Sequence, residues 1–433
     1  MIDYQLLFAV IGGLALLLVL ILKFKLPAFI SLLIASICVG LFSGMPALEI
    51  LETMKEGMGS TLGFVAVVVG LGAMFGALLE NAGGAEVLAR YSLKLFGEKR
   101  ASWALMITGF VVAIPVFFDV AFIILVPLIY ALQRKTGKSI LLYAIPLLAG
   151  LAITHTFIPP TPGPVAVADI LDADLGWVII MGFLVSIPTA ILCGPLFGKY
   201  ISKKIFVAAP PSLFEEKKQD QDPSVGWIFA IIIIPLLLIV SNTIFHNPLL
   251  GHPFTALIIA NLVAWYALGI RKDNSSDELL KISRASFQPA GLIILLTGAG
   301  GVFKQMLINT GAGSMLANYF AQIGLPLLVL AFVLAALVRI LQGSATVAMI
   351  TAAGICAPLL EGVILSPAQL ALVVMAIASG ASILSHVNDS GFWLVSNYLG
   401  LDEKQTFRSW TLMTTLLALS GFVTSLILSL LIP

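Results

Sequence analysis

Long apolar runs limit what this chain can fold into more than any other feature. Residues 6–22, 228–240, 257–270 and 412–431 carry no charged side chain. A helix of roughly 20 such residues spans the hydrocarbon core of a bilayer, about 30 Å thick. A transmembrane β-barrel would alternate apolar and polar residues over short segments, so continuous runs predict helices. Composition agrees: hydrophobic residues make up 60% of the 433 and charged residues 10%, against roughly 25% charged in soluble domains. That supply of charge cannot cover a water-facing exterior. The expected fold is an all-α integral membrane protein with lipid as its surrounding partner. A net charge of +1 with no basic, aromatic-interleaved patch argues against nucleic acid. Cys38, Cys193 and Cys356 stand singly in apolar runs, which predicts neither a disulfide framework nor a metal site. The first apolar run follows Asp3 and is succeeded by Lys23 and Lys25, the wrong polarity for a cleaved secretory signal.

The chain also repeats itself. GLGAMFGALLENAGGAEVLA begins at Gly70 and GAGGVFKQMLINTGAGSMLA at Gly298; in this register Gly70, Gly72, Phe75, Asn81, Gly83, Leu88 and Ala89 meet identical residues. Each copy is followed by two apolar segments broken by small or polar residues, and the second break of each half contains a histidine. The reading is two halves, 1–207 and 226–433, joined by a polar cytoplasmic linker at 208–225. Each half contributes five spanning helices counting one broken helix, plus a re-entrant hairpin. The segments lie near 4–22, 26–44, 58–80, 101–133, 139–170 and 175–198, then near 226–244, 252–270, 286–308, 324–362, 367–399 and 409–431. Five crossings is an odd number, so the second half inverts. Cationic residues gather in cytoplasmic loops, and this topology puts all but three of the 23 Lys and Arg there. Lys55 falls outside, and Lys304 and Arg339 fall within the membrane. Both termini are then periplasmic, and the compartment is the bacterial inner membrane.

Backbone freed by a broken helix finds no water in lipid, so such breaks are tolerated where they line a cavity or a site. Inverted repeats with broken helices near the midplane form a recurring transporter plan. Four breaks occur here. The first is Ile114-Pro115-Val116-Phe117-Phe118-Asp119, where Asp119 is either an intramembrane ionisable group or a cap for the next helix. The second runs from His155 and Thr156 through Thr161 to Pro164. Four prolines in six residues predict an extended segment offering hydroxyls and open carbonyls. The third, from Arg339 to Thr346, contains Gly343 and Ser344. Arg339 is suited either to a substrate carboxylate or to snorkelling or a structural pair with an acid such as Asp119 or Asp389. The fourth gathers His386, Asn388, Asp389 and Ser390 within six residues and is the strongest local pointer to a site. Lys304 reads as structural or snorkelling.

At these breaks the chain resembles the gluconate permease family, the gluconate:proton symporters, which also include D-serine, idonate and related acid carriers. The likeness rests on GLGAMFGALLENAGGAEVLA, AIPVFFDVAFIILVPL, ITHTFIPPTPGPVAVADIL, LQGSATVAMITAAG and SHVNDSGFWLV, and covers nearly the whole sequence. The resemblance implies an elevator-like transport domain and a homodimer. It makes Asp119, His155, Thr156, Thr161, Ser344, Thr346, His386, Asn388, Asp389 and Ser390 site candidates beside Arg339. The expected function is secondary active symport of gluconate or a related small hydroxy acid. No cofactor is expected beyond a coupling ion, for which the histidine and aspartate pairs favour a proton over sodium. A D-serine or glycerate carrier of the same fold is the nearest alternative. A channel would need a continuous polar pore. An intramembrane enzyme could draw on His386 and Ser390, yet neither HExxH nor GxSxG occurs, and twofold repetition serves catalysis poorly.

Overall fold

A computed structural model describes residues 4–210, 223–245, 247, 249–272, 275–311, 326–360, 363–387 and 389–432. Among these residues the chain is helical throughout, with no strand. Two long helices form its spine: α3 (Ala47–Asn81, 35 residues) and α13 (Ser276–Asn309, 34 residues). At 1.5 Å per residue each is about 50 Å long, well beyond the hydrocarbon thickness. They start about ten residues earlier than apolarity alone suggests, because the charged first turns extend past the lipid as an amphipathic continuation. Both are glycine-rich where they cross. A Cβ on Gly57 would lie 2.7 Å from the Gly301 carbonyl oxygen, and one on Gly301 would lie 2.6 Å from that of Gly57. Such close backbone approach is how helices associate without a hydrophobic driving force.

The helices flanking this spine exchange partners. Helix α2 (Ala28–Phe42) packs on α13, while α12 (Pro253–Ala264) packs on α3. Behind them, α1 (Tyr4–Leu22) lies on α2 and α11 (Val225–Phe245) on α12. A short helix, α4 (Gly84–Phe96), follows the left-handed turn at Gly83, where the basic residues predict only a loop. It is amphipathic: Val87, Leu88 and Ala89 are buried while Arg90 is exposed.

The broken segments make up the rest of the molecule. Helices α5 (Ala101–Val112) and α6 (Phe118–Thr136) form the first hairpin, followed by α7 (Leu141–Phe157), α8 (Pro162–Ile170), α9 (Leu175–Ile191) and α10 (Phe197–Lys204). The second set comprises α14 (Leu327–Gln342), α15 (Ala345–Cys356), α16 (Pro367–Gly380), α17 (Ser390–Leu399), α18 (Glu403–Thr406) and α19 (Leu412–Leu431). Each hairpin packs its first limb on the following helix of its own half, α5 on α7 and α14 on α16. Its second limb crosses over: α6 reaches α17, and α15 reaches α8.

Most of the polar linker, residues 211–222, lies outside the described residues. Its start is tied to the first hairpin, Ala209 N donating to Gln133 Oε1 of α6 (3.2 Å); just before it, the Val207 carbonyl accepts from Ile140 N in the turn before α7 (2.9 Å).

Candidate functional site

The first break spans residues 113–117, between the C-cap of α5 at Ala113 and the N-cap of α6 at Phe117. Its tip presses on the spine, since a Cβ at Gly76 of α3 would sit 2.0 Å from the Pro115 carbonyl oxygen. Asp119, in the first turn of α6, is exposed and lies within electrostatic reach of Asp389. It does not cap the helix through a side-chain bond.

The second break is shorter than expected. Helix α7 continues through His155 and Thr156 to Phe157, and α8 begins at Pro162, leaving only 158–161 irregular. The reason is the position of the prolines. Pro162 stands at the first helical position and Pro164 in the first turn, where a missing N–H breaks no bond. The threonine hydroxyls turn inward. Thr161 Oγ1 donates to the Ile158 carbonyl (2.6 Å), and Thr156 Oγ1 meets Ser382 Oγ at 3.0 Å, joining this break to the fourth. The His155 Nδ1 is buried with no hydrogen-bond partner.

At the third break α14 ends on Gly343, whose φ of +93° suits glycine. Ser344 then caps α15, its hydroxyl accepting from Val347 N at 3.4 Å. Thr346 is half-buried in the first turn. Arg339, 4% exposed, sends Nη1 to the Gly343 carbonyl and Nη2 to Asp389 Oδ2 at 2.5 Å. Of the two sequence alternatives for Arg339, this arrangement contains the pair with Asp389.

The fourth break, between α16 and α17, converges on Asp389. Its Oδ2 also accepts from Ser385 Oγ, and its Oδ1 caps α17 by accepting from Gly391 N (3.1 Å). Ser385 is held by Trp410 Nε1 (2.6 Å), by Thr411 through its carbonyl, and by Thr414, whose hydroxyl accepts from Ser385 N (3.2 Å). His386 Nε2 bonds the Ile340 carbonyl at 2.9 Å. Ser390 opens α17 and is exposed. His386 sits in the loop before α17, so the two do not share a helix face as a nucleophile and its base would. Asn388 lies outside the described residues.

All four breaks therefore meet. Thr156–Ser382 joins the second to the fourth, Arg339–Asp389 the third to the fourth, and the Asp119–Asp389 proximity the first to the fourth. Sequence reasoning does not single out Ser382, Ser385, Trp410, Thr411 or Thr414. Ser385 adjoins a chosen histidine, but nothing local marks Trp410. A cavity opens beside this junction, lined by Gly72 and Ala73 of α3, by residues 114–117, and by His155, Pro160 and Thr161. It shares Ala73 and residues 115–117 with a wider groove reaching Glu80, Asn81 and Ser286. Away from the junction, Lys304 pairs with Asp172 at 3.0 Å, tying α13 to the turn after α8; its structural reading fits this contact.

The model for the GntP family permease matches residues 4–431. The low-affinity gluconate transporter of Escherichia coli K12 is 41% identical over 96% of this chain and 96% of its own length. A gluconate permease of Pseudomonas aeruginosa is 39% identical over 96% of this chain and 95% of its own. Among solved structures, the Alcanivorax borkumensis YdaH transporter superposes with a TM-score of 0.64 at 16% identity, covering 89% of this chain and 88% of that one. That likeness shows the fold.

Proposed function

The chain belongs to the GntP permease family, and from that premise we propose that it carries gluconate, or a closely related hydroxy acid, into the cell together with a proton. It is a transporter of the multi-pass membrane type and not an enzyme. The observation that carries the coupling is the charge at the junction. Arg339 and Asp389 pair there, one positive charge against one negative, and the Asp119 carboxyl lies within electrostatic reach of that pair. An incoming carboxylate would leave an excess of one negative charge beside the buried guanidinium, where unpaired charge is costly. A cation entering with the anion removes that excess.

The inverted topology is part of the same reading. The exchanged packing of α2 on α13 and α12 on α3 supports two halves, 1–207 and 226–433, related by a twofold axis in the membrane plane. The Lys and Arg distribution supports periplasmic termini, an inner-membrane location and a cytoplasmic linker at 208–225. The spine of α3 and α13 suits a fixed scaffold, and the hairpins with their broken helices suit an elevator-like moving body. A homodimer fits a scaffold that must stay put while the other body moves.

Proteoliposomes loaded with buffer and given an imposed gradient test the function. Gluconate should accumulate under an inward proton gradient, and sodium alone should drive none. Unlabelled gluconate should compete better than D-serine or glycerate. Accumulation driven by sodium alone would overturn proton coupling; better competition by D-serine or glycerate would reassign the substrate.

A further inference from the structure

The Arg339–Asp389 pair holds a detail that a purely structural ion pair does not need. A guanidinium presents Nε–H and Nη2–H along one edge, and a carboxylate takes that edge with both oxygens. Here Asp389 uses Nη2 alone, and Nε is buried with no hydrogen-bond partner. Its own second oxygen is committed to Gly391 N at the start of α17. Nη1 is fixed on the Gly343 carbonyl, so the guanidinium belongs to the tip of the second hairpin. The edge is thus occupied by half, by a carboxylate that cannot complete it while it caps a helix.

Resting on the transport reading above, we infer that Asp389 is the coupling proton carrier and that it works by competing with the substrate for the edge of Arg339. Deprotonated, Asp389 holds Nη2 and keeps the substrate carboxylate away. A proton from the outer solution forms an O–H bond at Oδ2, which ends the charge attraction to Nη2. The substrate carboxylate then accepts from both Nη2 and Nε. On the inner side the O–H bond breaks, the proton leaves to water, and Asp389 retakes Nη2 and expels the anion. One proton moves with one anion, and no other group changes charge. The charged or titratable groups facing Asp389 are Arg339 on α14, Asp119 at the start of α6 and His386 in its own loop. His386 bonds the Ile340 carbonyl through Nε2 rather than the edge of Arg339. Ser385, clamped by Trp410, holds Oδ2 in position without contributing charge.

Purified protein in lipid nanodiscs is titrated with gluconate calorimetrically, in buffers of differing ionisation enthalpy and across a range of pH. About one proton should be taken up per gluconate, and affinity should fall about tenfold per pH unit above the transition, as a one-proton linkage requires. Asp389→Asn, a permanent mimic of the protonated acid, should bind gluconate with no proton uptake and with affinity independent of pH. Its proteoliposomes should exchange gluconate yet fail to accumulate it. Asp119→Asn should keep the proton uptake. Arg339→Lys retains the charge but not the edge and should bind about tenfold or more weakly. Gluconate binding by the parent protein without proton uptake would overturn the inference while leaving transport standing. So would a folded Asp389→Asn variant that keeps the pH slope, or loss of proton uptake in Asp119→Asn. Should Asp389→Asn not fold, the parent's own proton count decides. Absence of gluconate binding at every pH would remove the transport reading and the inference together.

Discussion

Replacing Gly76 by alanine probes the contact on which the first hairpin rests. The added Cβ would stand 2.0 Å from the Pro115 carbonyl oxygen and 3.0 Å from its carbonyl carbon. Ordinary contact begins near 3.4 Å, so hairpin and spine must separate by more than an ångström. The obstacle is backbone, not a side-chain tip that could rotate aside. Overpacking of this kind costs about 1–3 kcal/mol. If the tip leaves this part of α3 during transport, the whole penalty falls on the arrangement seen here and shifts the balance of states by about 5- to 150-fold. Gly291→Ala is the control, because a Cβ at Gly291 meets nothing within 4 Å. Gluconate uptake by proteoliposomes and thermal unfolding in detergent are both measured. Gly76→Ala should unfold earlier and transport at least several-fold more slowly, while Gly291→Ala should unfold no earlier than the parent and transport at the parent's rate. Equal behaviour of the two variants would refute the placement of the hairpin tip against α3.

Single cysteines at positions 94 and 55, in a background lacking Cys38, Cys193 and Cys356, should separate under an impermeant reagent in intact cells. Position 55 should label and position 94 should not; external labelling at 94 would reverse the topology. Replacing Ser344 and Thr346 together by alanine should raise the apparent KM for gluconate and cost about 0.5–2 kcal/mol of stability through the lost cap of α15. An unchanged KM would remove that tip from the site. Glucitol, which keeps the hydroxyls and lacks the carboxylate, should compete at least about tenfold less well than gluconate. A charge-assisted hydrogen bond contributes about 1.5–3 kcal/mol, and competition within threefold would mean that Arg339 does not recognise the anion.

What the sequence discloses here follows from the distance over which each feature is determined. Apolar runs, the breaks and the cation distribution are local, and each appears in the residues themselves. Helix ends are harder to read. Charge at Glu49, Glu52 and Lys55 suggests that the span begins near 58, yet a helix does not stop where lipid stops, and α3 runs from Ala47. The basic residues of 90–94 likewise suggest a loop, although they belong to the amphipathic α4, with Arg90 on its exposed face. Within the site, Asp389 is legible because a carboxylate between two apolar runs is too costly to keep unless it pairs or functions. Its partner is legible only as one of several choices, since the pairing joins residues 50 positions apart. Trp410 and Ser385, 25 positions apart, meet only after α17 and α18 have folded back, and no local pattern announces that contact.

The two sets of broken helices match in spacing and differ in chemistry. Helices α5 and α14 begin 226 positions apart, as do α7 and α16, and Thr156 and Ser382, also 226 apart, touch across the junction. That common offset gives the two sets of broken helices a matching spacing along the chain. A sugar acid has no such symmetry: a carboxylate ends one side and a chain of hydroxyls the other. The second half holds the guanidinium, with Gln342 and Ser344 at its tip, whereas the first tip is Ile114-Pro115-Val116-Phe117. A cavity lies beside that first tip, bordered by His155 with its unpartnered Nδ1. The two tips thus offer an asymmetric ligand different chemistry: a guanidinium with polar neighbours at one, and a proline and phenylalanine surface beside an unpartnered imidazole nitrogen at the other.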